Sequence, residues 1–376
     1  MRGLKGAFAA VMFAVVLAFV LLAPIFLQKA LPRNQYTEWM QPSPEPYSGI
    51  VRVWHIVGFK PYKGSFGNYL AQWSRKIEKK HVGIYFEVLS MTAEEAAGRL
   101  SRGESPDIYS FPAGYTDSEG LLELDLETPR YVGNLNDVGR DKGLYAVPYA
   151  VSGYCLLANS QILQERNQVL PAAVDSEWLS GAQQSMTFER GKKRVKISGL
   201  AGDAVMAAYW GLDAPVAPYE DFLNKRAALA IADARAAGDL QRSLENNKGF
   251  TYEIRILDGF TTLVQLLGIN KSTEPQKVPY ALEFIQLMLS EEAQATLADI
   301  GAFPATALAA APKYDLEVLQ SIAKMLEAPV APNAFLYKRY RDTLYEAANR
   351  ALSGDAFGAK EFEERLIELE PDIKIR

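Results

Sequence analysis

Apolar residues along the chain switch between two spacings, and this pattern predicts alternating strands and helices from residue 50 onward. The run IVRVWHI is rich in β-branched residues, which favours a buried strand. In the next segment Phe66, Leu70 and Trp73 recur at helical spacing and predict one apolar helix face. The predicted elements are a strand over Ile50–Ile56, a helix over Ser65–Lys80, a strand over Ile84–Leu89, a helix from Thr92 to Gly103 and a strand over Ile108–Phe111. This order is typical of a parallel sheet with right-handed crossovers.

A second α/β region follows with a less regular pattern. Leu144–Ala158 is apolar and β-rich, and Pro148 and Gly153 interrupt it. The basic run Gly191–Lys196 predicts a solvated loop or a hairpin, and Asp203 is expected to cap a helix that ends near Trp210. The other predicted elements are helices over Gln161–Gln168, Tyr280–Leu289, Leu316–Glu327, Tyr340–Leu352 and Ala359–Leu369, and a strand over Ile254–Ile256. The body of the chain is thus predicted to form two α/β lobes.

The N-terminus predicts a segment directed to a membrane. Residues 7–27 form an apolar block of 21 residues, which as a helix would span about 30 Å, the thickness of a bilayer core. The block is longer than the apolar stretch of a cleavable signal peptide, and no small-x-small cleavage site follows it. We therefore expect residues 1–33 to be an uncleaved signal anchor, with a cleaved signal peptide as the alternative. Residues 34–46 are expected to form a tether, because Pro42, Pro44 and Pro46 favour an extended spacer.

Composition excludes several classes of protein. The 376 residues include 40 Lys and Arg against 45 Asp and Glu, and the net charge of −5 argues against a nucleic-acid partner. One cysteine and two histidines offer no basis for a disulfide framework or for a metal site built on these ligands. The sequence contains no phosphate-binding, dinucleotide-binding, zinc-protease or hydrolase motif. These absences argue against an enzyme, and we expect no catalytic residues, no metal and no cofactor.

Aromatic and charged residues at predicted strand ends are the candidates for ligand binding. In a parallel sheet the ligand crevice lies beyond the carboxyl ends of the strands, and aromatic faces suit the C–H faces of sugars. The candidate ligand-binding residues are Trp54, His55, Phe111, Tyr115, Tyr149, Tyr209, Trp210, Asp233, Arg235, Phe260 and Tyr337. Packing is the alternative role for each aromatic residue and for His55. Asp233 and Arg235 could instead form a surface ion pair.

Four stretches together resemble the bacterial extracellular solute-binding proteins of ABC importers, family 1, whose best-known member binds maltodextrins. The stretches are TAEEAAGRLSRGESPDIYSFPAG from Thr92, LYAVPYAVSGYCLLANSQIL over 144–163, ALEFIQLMLSEEAQATLADIGAFPA over 281–305 and APVAPNAFLYKRYRDTLYEAANRALSG over 328–354. The resemblance implies an α/β, two-lobed periplasmic-binding-protein-like fold (type II), preceded by the N-terminal transmembrane or signal helix. The chain lacks a lipoprotein cysteine after the apolar block, which implies anchoring by the helix itself, and residues 171–220 are short for the family's second lobe.

The resemblance also implies how the chain divides into lobes. Lobe 1 would comprise residues 47–150 and 257–303, and lobe 2 residues 151–256 and 304–376. The chain would cross between the lobes at Ala150–Gly153, Asp258–Thr261 and Phe303–Thr306, which would act as hinges. By position, lobe 1 would be lined by Trp54, His55, Phe111 and Tyr115, and lobe 2 by Tyr209, Trp210, Asp233 and Arg235. The crossings would contain Tyr149 and Phe260, and the closing helices would carry Tyr337.

The implied function is capture of a small ligand, a sugar or oligosaccharide, and its delivery to the transmembrane subunits of an ABC permease. The expected location is the outer face of the bacterial cytoplasmic membrane, where residues 7–27 would anchor the protein. If that segment is cleaved, the protein would be secreted. A membrane-anchored ligand sensor that presents to a signalling partner is the alternative.

Overall fold

The computed structural model describes residue 12 and residues 47–245, 251–257 and 260–369. It divides the chain into a unit of residues 1–48 and a unit of residues 49–376. Within the described ranges, no helix combines the length and the apolar character that a membrane crossing needs. The predicted tether over 34–46 and the predicted apolar anchor, apart from Met12, lie outside the described residues.

Strands and helices alternate through most of the described chain. The strands are β1 (Gly49–Ile56), β2 (Ile84–Met91), β3 (Ile108–Pro112), β4 (Arg140–Asp141), β5 (Gly143–Leu144), β6 (Val147–Val151), β7 (Tyr154–Asn159), β8 (Phe188–Arg190), β9 (Val195–Gly202), β10 (Ala227–Asp233), β11 (Tyr252–Ile256), β12 (Val264–Ile269) and β13 (Phe303–Pro304). The helices are α1 (Phe66–Lys80), α2 (Ala93–Ser101), α3 (Ser160–Glu165), α4 (Ser176–Ser185), α5 (Ala204–Tyr209), α6 (Tyr219–Leu223), α7 (Ala234–Glu245), α8 (Val278–Met288), α9 (Glu291–Thr296), α10 (Glu317–Met325), α11 (Ala334–Leu352) and α12 (Ala356–Leu369).

The first sheet has the strand order β13-β6-β12-β3-β1-β2. β1 lies between β3 and β2 and is parallel to both, so the parallel arrangement predicted for the first three strands is confirmed. Val51, Val53 and Ile56 of β1 are fully buried, which explains the apolar character of this strand. β12 enters the sheet antiparallel to β3 and β6, so the complete sheet is mixed.

Local hydrogen bonds fix the starts of the first two helices. Ser65 caps α1, because its hydroxyl accepts a hydrogen bond of 3.2 Å from the Asn68 amide. Thr92 and Glu95 form a reciprocal capping box: the Thr92 hydroxyl accepts from the Glu95 amide at 3.2 Å, and the Glu95 carboxylate accepts from the Thr92 amide at 2.8 Å. Both helix starts therefore follow from short-range interactions in the sequence.

The second sheet has the strand order β11-β7-β10-β9-β8. β9 and β10 are parallel, and β7 and β11 complete one side with antiparallel pairing. The basic run 191–196 forms the turn of the β8–β9 hairpin and the first residues of β9, which is one of the two predicted outcomes. Asp203 caps α5, as predicted, and Asp233 ends β10 immediately before α7.

Three stretches of chain connect the two sheets. Ser152 and Gly153 join β6 to β7, residues 257–263 join β11 to β12, and the chain after β13 leads to α10, which packs against α7 and β11. A Cβ atom on Gly153 would lie 2.4 Å from the Met325 methyl group, so α10 packs closely against this crossing. The predicted lobe boundaries stay a prediction, and Asp258 and Gly259 of the predicted second hinge lie outside the described residues.

Candidate functional site

A cavity of about 730 Å³ lies at the carboxyl ends of β9 and β10. Its polar walls include the carboxylates of Asp203, Asp233 and Asp239. The lining also contains the rings of Tyr154, Tyr219 and Tyr345, the side chain of Arg235 and several apolar side chains. The position agrees with the rule that ligands bind beyond the carboxyl ends of parallel strands.

Strand pairing brings the two deeper carboxylates to one edge of the second sheet. Ile231 of β10 pairs with Gly202 of β9, so Asp203 and Asp233 both follow directly at the ends of neighbouring strands. Each aspartate then caps the helix that begins after it: Asp203 accepts from the Met206 amide and Asp233 from the Ala236 amide, both at 2.9 Å. The cap fixes the position of each side chain at the wall of the cavity.

Burial dominates the electrostatics of these carboxyl groups. It raises the pKa of Asp203 and of Asp233, although backbone amides at the two helix starts act in the opposite direction. Arg235 also lowers the pKa of Asp233, but its Nε atom is 3.7 Å from Asp239 Oδ2, with which it forms an ion pair at the exposed rim. Among the described residues, no Lys or Arg nitrogen lies within 4.0 Å of the carboxylate of Asp203 or Asp233.

The second chain crossing contacts Tyr154, which lines the cavity, and Tyr209 at the end of α5. The hydroxyl groups of Tyr154 and Thr262 are 3.0 Å apart, and the rings of Tyr209 and Phe260 stack with centroids 4.6 Å apart. These contacts connect the wall built by β7 and α5 with the segment that leads back to β12.

Tyr337 joins the end of β3 to α11. A Cβ atom on Gly114 would lie 2.7 Å from the Tyr337 ring, so the ring can take this position only because residue 114 is glycine. Burial raises the pKa of Tyr337 to about 12. The ring therefore keeps its proton at physiological pH and can donate a hydrogen bond.

The structure places the predicted site residues in different surroundings. Asp233 and Arg235 line the cavity. Tyr209 ends α5 and stacks on Phe260 of the second crossing, and Tyr337 lies on α11; all three are buried by their neighbours. A direct ligand contact by any of the eleven residues stays a prediction.

The aromatic candidates on the first sheet lie in its core. Trp54, Phe111 and Tyr149 are at most 2% exposed. Trp54 packs edge to face against Tyr109, and Phe111 packs against Tyr115, which is half-buried. Trp210 of the second lobe region is also buried, at 3% exposure. This burial favours the packing role for these residues, because their rings are enclosed by neighbouring side chains.

His55 belongs to a buried polar network of the first sheet. Its Nδ1 atom is 3.0 Å from the Ser110 hydroxyl, which is 3.0 Å from the Tyr149 hydroxyl. The Gln265 amide donates to the Ile56 carbonyl oxygen at 3.1 Å on the same side. Burial lowers the pKa of His55 to about 4, so the ring is neutral at physiological pH.

Sequence reasoning missed most of the cavity wall. Asp203 was predicted only as a helix cap, and Tyr219, Asp239 and Tyr345 were not singled out. The usable signal was an aspartate placed between a strand and a helix, because such a residue faces the crevice of an α/β sheet while it caps the helix. Tyr345 gave no such signal, since it comes from a helix more than a hundred residues away from Asp233 in the chain.

A second cavity, of about 390 Å³, lies at the third crossing. Phe303, Thr306 and Tyr314 line one part of it, and Lys324 and Glu327 lie near its other wall. It contains none of the predicted site residues among the described part of the chain. The larger cavity at β9 and β10 is therefore the candidate functional site.

Comparisons with known proteins address the fold. No protein-family model matches the sequence, and no curated protein matches it. An ABC substrate-binding protein from Listeria monocytogenes, in complex with cycloalternan, is 14% identical and superimposes with a TM-score of 0.57 over 88% of this chain and 100% of its own. The GacH receptor of Streptomyces glaucescens, solved without ligand and with acarbose, is 14% identical, with a TM-score of 0.56 over 87% of this chain and 100% of its own.

A maltose/maltodextrin-binding domain from Bdellovibrio bacteriovorus, bound to maltotriose, is 14% identical and has a TM-score of 0.54 over 86% of this chain and 100% of its own. The chain therefore has the α/β, two-lobed fold of maltose-binding-protein-like proteins. The predicted fold class is confirmed to that extent, and the assignment to family 1 stays a prediction.

Proposed function

We propose that this chain is the extracellular solute-binding component of an ABC importer and that it captures a small polyhydroxylated ligand. The cavity at the ends of β9 and β10 is the observation that carries the proposal. Its volume of about 730 Å³ falls in the range of small-molecule sites, and its carboxylates and tyrosine rings suit the hydroxyl groups and apolar faces of a sugar. The shared fold supports the same class, because the similar structures were solved with cycloalternan, acarbose and maltotriose.

Capture would proceed by closure of two lobes. Lobe 1 would comprise residues 47–150 and 257–303, and lobe 2 residues 151–256 and 304–376. Leu263 lies beyond the second proposed hinge and lines the same cavity as Asp233, so rotation at that hinge would change the shape of the site. A ligand would shift the equilibrium toward the closed form only by the extra contacts that it makes there. The protein would bind and release its ligand unchanged.

Delivery requires a partner at the membrane. We propose that the transmembrane subunits of an ABC permease recognise the closed form. Residues 7–27 would hold the protein at the outer face of the cytoplasmic membrane, or the protein would be secreted if this segment is cleaved. Two permease genes next to the coding gene would support import, whereas a histidine kinase gene in that place would support the sensor alternative.

Calorimetric titration of the full chain with neutral, acidic and amino oligosaccharides tests the proposal. We expect one site per chain, and a ligand present at 100 times its dissociation constant should stabilise the fold by about 2.7 kcal/mol. Asp233→Asn should weaken binding at least tenfold, about 1.4 kcal/mol, because the amide preserves the helix cap but removes the charge.

Asp175→Asn is the matched control. Asp175 also caps a helix, with its carboxylate 2.7 Å from the Trp178 amide, but it lies outside the cavity. It should leave the affinity unchanged. Absence of binding heat and of thermal stabilisation with every saccharide would refute the proposed function, and release of a hydrolysis product would refute binding without turnover.

A further inference from the structure

The charges of the cavity do not balance. Asp203, Asp233 and Asp239 contribute three carboxylates, and Arg235 contributes one cation. Arg235 and Asp239 pair with each other at 3.7 Å on the exposed rim. The two deeper carboxylates, of Asp203 and Asp233, therefore face the ligand space with no Lys or Arg nitrogen of the described residues within 4.0 Å, and Arg235 acts on Asp233 only from a longer distance.

Neutral backbone amides are the hydrogen-bond donors to these two groups in the described chain. Met206 and Ala236 donate from the starts of α5 and α7 at 2.9 Å. Such donors orient a carboxylate but leave its full negative charge in place. A carboxylate held away from water destabilises the protein unless an opposite charge approaches it. A cationic ligand would offset this loss of stability.

Tyrosine rings stand beside the same carboxylates. Tyr154, Tyr219 and Tyr345 all line the cavity. Burial is the largest cause of the raised pKa of each of these tyrosines. The negative charge of Asp203 further raises the pKa of Tyr154 and of Tyr345. The negative charge of Asp233 further raises the pKa of Tyr154 and of Tyr219. Each ring therefore lies within electrostatic reach of at least one of the two carboxylates, and the faces of tyrosine rings attract ammonium groups.

We propose that the ligand is an amino sugar, whose protonated amine is bound jointly by Asp203 and Asp233 while its hydroxyl groups and ring contact the tyrosines. This inference rests on the proposed function and narrows it. A neutral sugar could donate hydroxyl hydrogens to the carboxylates but would leave two buried negative charges uncompensated. An ammonium group offers several charge-assisted hydrogen bonds from one atom, and these are about twice as strong as neutral ones.

A matched pair of trisaccharides tests the inference. A glucosamine trisaccharide and its N-acetylated counterpart share one backbone. The first carries amines that can be protonated, whereas the second carries neutral acetamide groups in their place. At a pH at which the amines are protonated, we expect the glucosamine form to bind the full chain about 100-fold more tightly. Asp203→Asn and Asp233→Asn should each reduce its affinity at least tenfold, and high salt should weaken it.

Asp175→Asn again serves as the control for replacement of a helix-capping aspartate and should change neither affinity nor preference. Thermal unfolding of each variant shows whether it is folded, since asparagine caps helices as well as aspartate does. Equal affinities for the two trisaccharides, or an amine preference that survives both cavity substitutions, would overturn the inference while the proposed function stands. Tighter binding of spermidine than of the amino trisaccharide would overturn the assignment of the ligand as a sugar, because spermidine carries amines without a sugar ring. Failure of every saccharide to bind would refute the proposed function as well.

Discussion

Lowering the pH from 7 to 5 is expected to remove about 2 kcal/mol from the free energy of unfolding through His55 alone. The ring is 3% exposed, and burial lowers its pKa from 6.5 to about 4. The folded-state pKa therefore lies below that of the unfolded chain, so as the pH falls the unfolded state binds the proton first. The stability that His55 contributes is complete above pH 6.5 and is lost between pH 6.5 and 4.

The magnitude follows from the size of this shift. Each pKa unit corresponds to about 1.36 kcal/mol, so a shift from 6.5 to about 4 corresponds to about 3 kcal/mol in full. About two thirds of that is expressed at pH 5, where unfolded His55 is almost fully protonated and folded His55 is still neutral. The network of Ser110, Tyr149 and Gln265 around the ring supplies hydroxyl and amide groups, which do not stabilise an added positive charge as a carboxylate would.

Urea denaturation at several pH values, on the wild-type chain and on His55→Asn, measures the effect. The asparagine amide can occupy the position of Nδ1, which lies 3.0 Å from the Ser110 hydroxyl, but it does not titrate. Asp203 and Asp233 act in the opposite direction, because their raised pKa values make the fold relatively more stable as the pH falls toward them. Their contribution cancels in the difference between the two proteins.

We expect the wild type to lose about 2 kcal/mol more than the variant between pH 7 and pH 5. Equal losses would refute the buried, neutral state of His55. A ligand-dependent change in the titration of His55 would instead support the ligand contact that was predicted from its position near the end of the first strand. The experiment therefore separates the packing role of this residue from its binding role.

Three other substitutions have defined expected outcomes. Gly238→Ala should destabilise the fold by about 2 kcal/mol in urea, because a Cβ there would lie 2.4 Å from the Tyr62 ring, which reaches α7 from the loop after β1; an unchanged free energy of unfolding would show that the ring moves aside without cost. Lys277→Met should destabilise the fold by about 3 kcal/mol in urea, because it leaves the buried carboxylate of Asp107, 3.2 Å from Lys277 Nζ, without its cation; a loss under about 1 kcal/mol would show that water reaches the pair. Asp203→Asn should raise the thermal stability of the ligand-free protein at neutral pH, since burial penalises the carboxylate and the amide keeps the cap; a clear loss of stability would contradict that assignment.

Local signals in the sequence determined where many elements begin and what type they are. Ser65, Thr92 and Asp203 each precede an apolar helical pattern, and each caps a helix in the structure. Interactions over three or four residues decide such starts, so distant parts of the chain do not alter them. The βαβαβ order of residues 49–112 is similarly local, because the handedness of each crossover is fixed by the twist of the strands.

Tertiary structure alone decided which of the aromatic residues at strand ends are buried. Trp54 and Phe111 belong to strands covered on both faces, and such strands show no alternation of polar and apolar residues that would reveal a side chain's direction. The antiparallel entry of β12 into the first sheet was also outside the reach of local patterns, since its partner strands lie more than a hundred residues earlier in the chain.

The cavity likewise depends partly on local sequence signals and partly on the tertiary structure. The sequence by itself placed Asp203 before a helix and Asp233 at the end of an apolar run, and both placements hold in the structure. Only the register of β9 against β10 placed the two carboxylates at the same edge of the second sheet, and only the packing of α11 brought Tyr345 to the same cavity. Helix caps depend on neighbours in the chain, whereas a ligand cavity depends on neighbours in space, and those are fixed by the burial of distant apolar surfaces against one another.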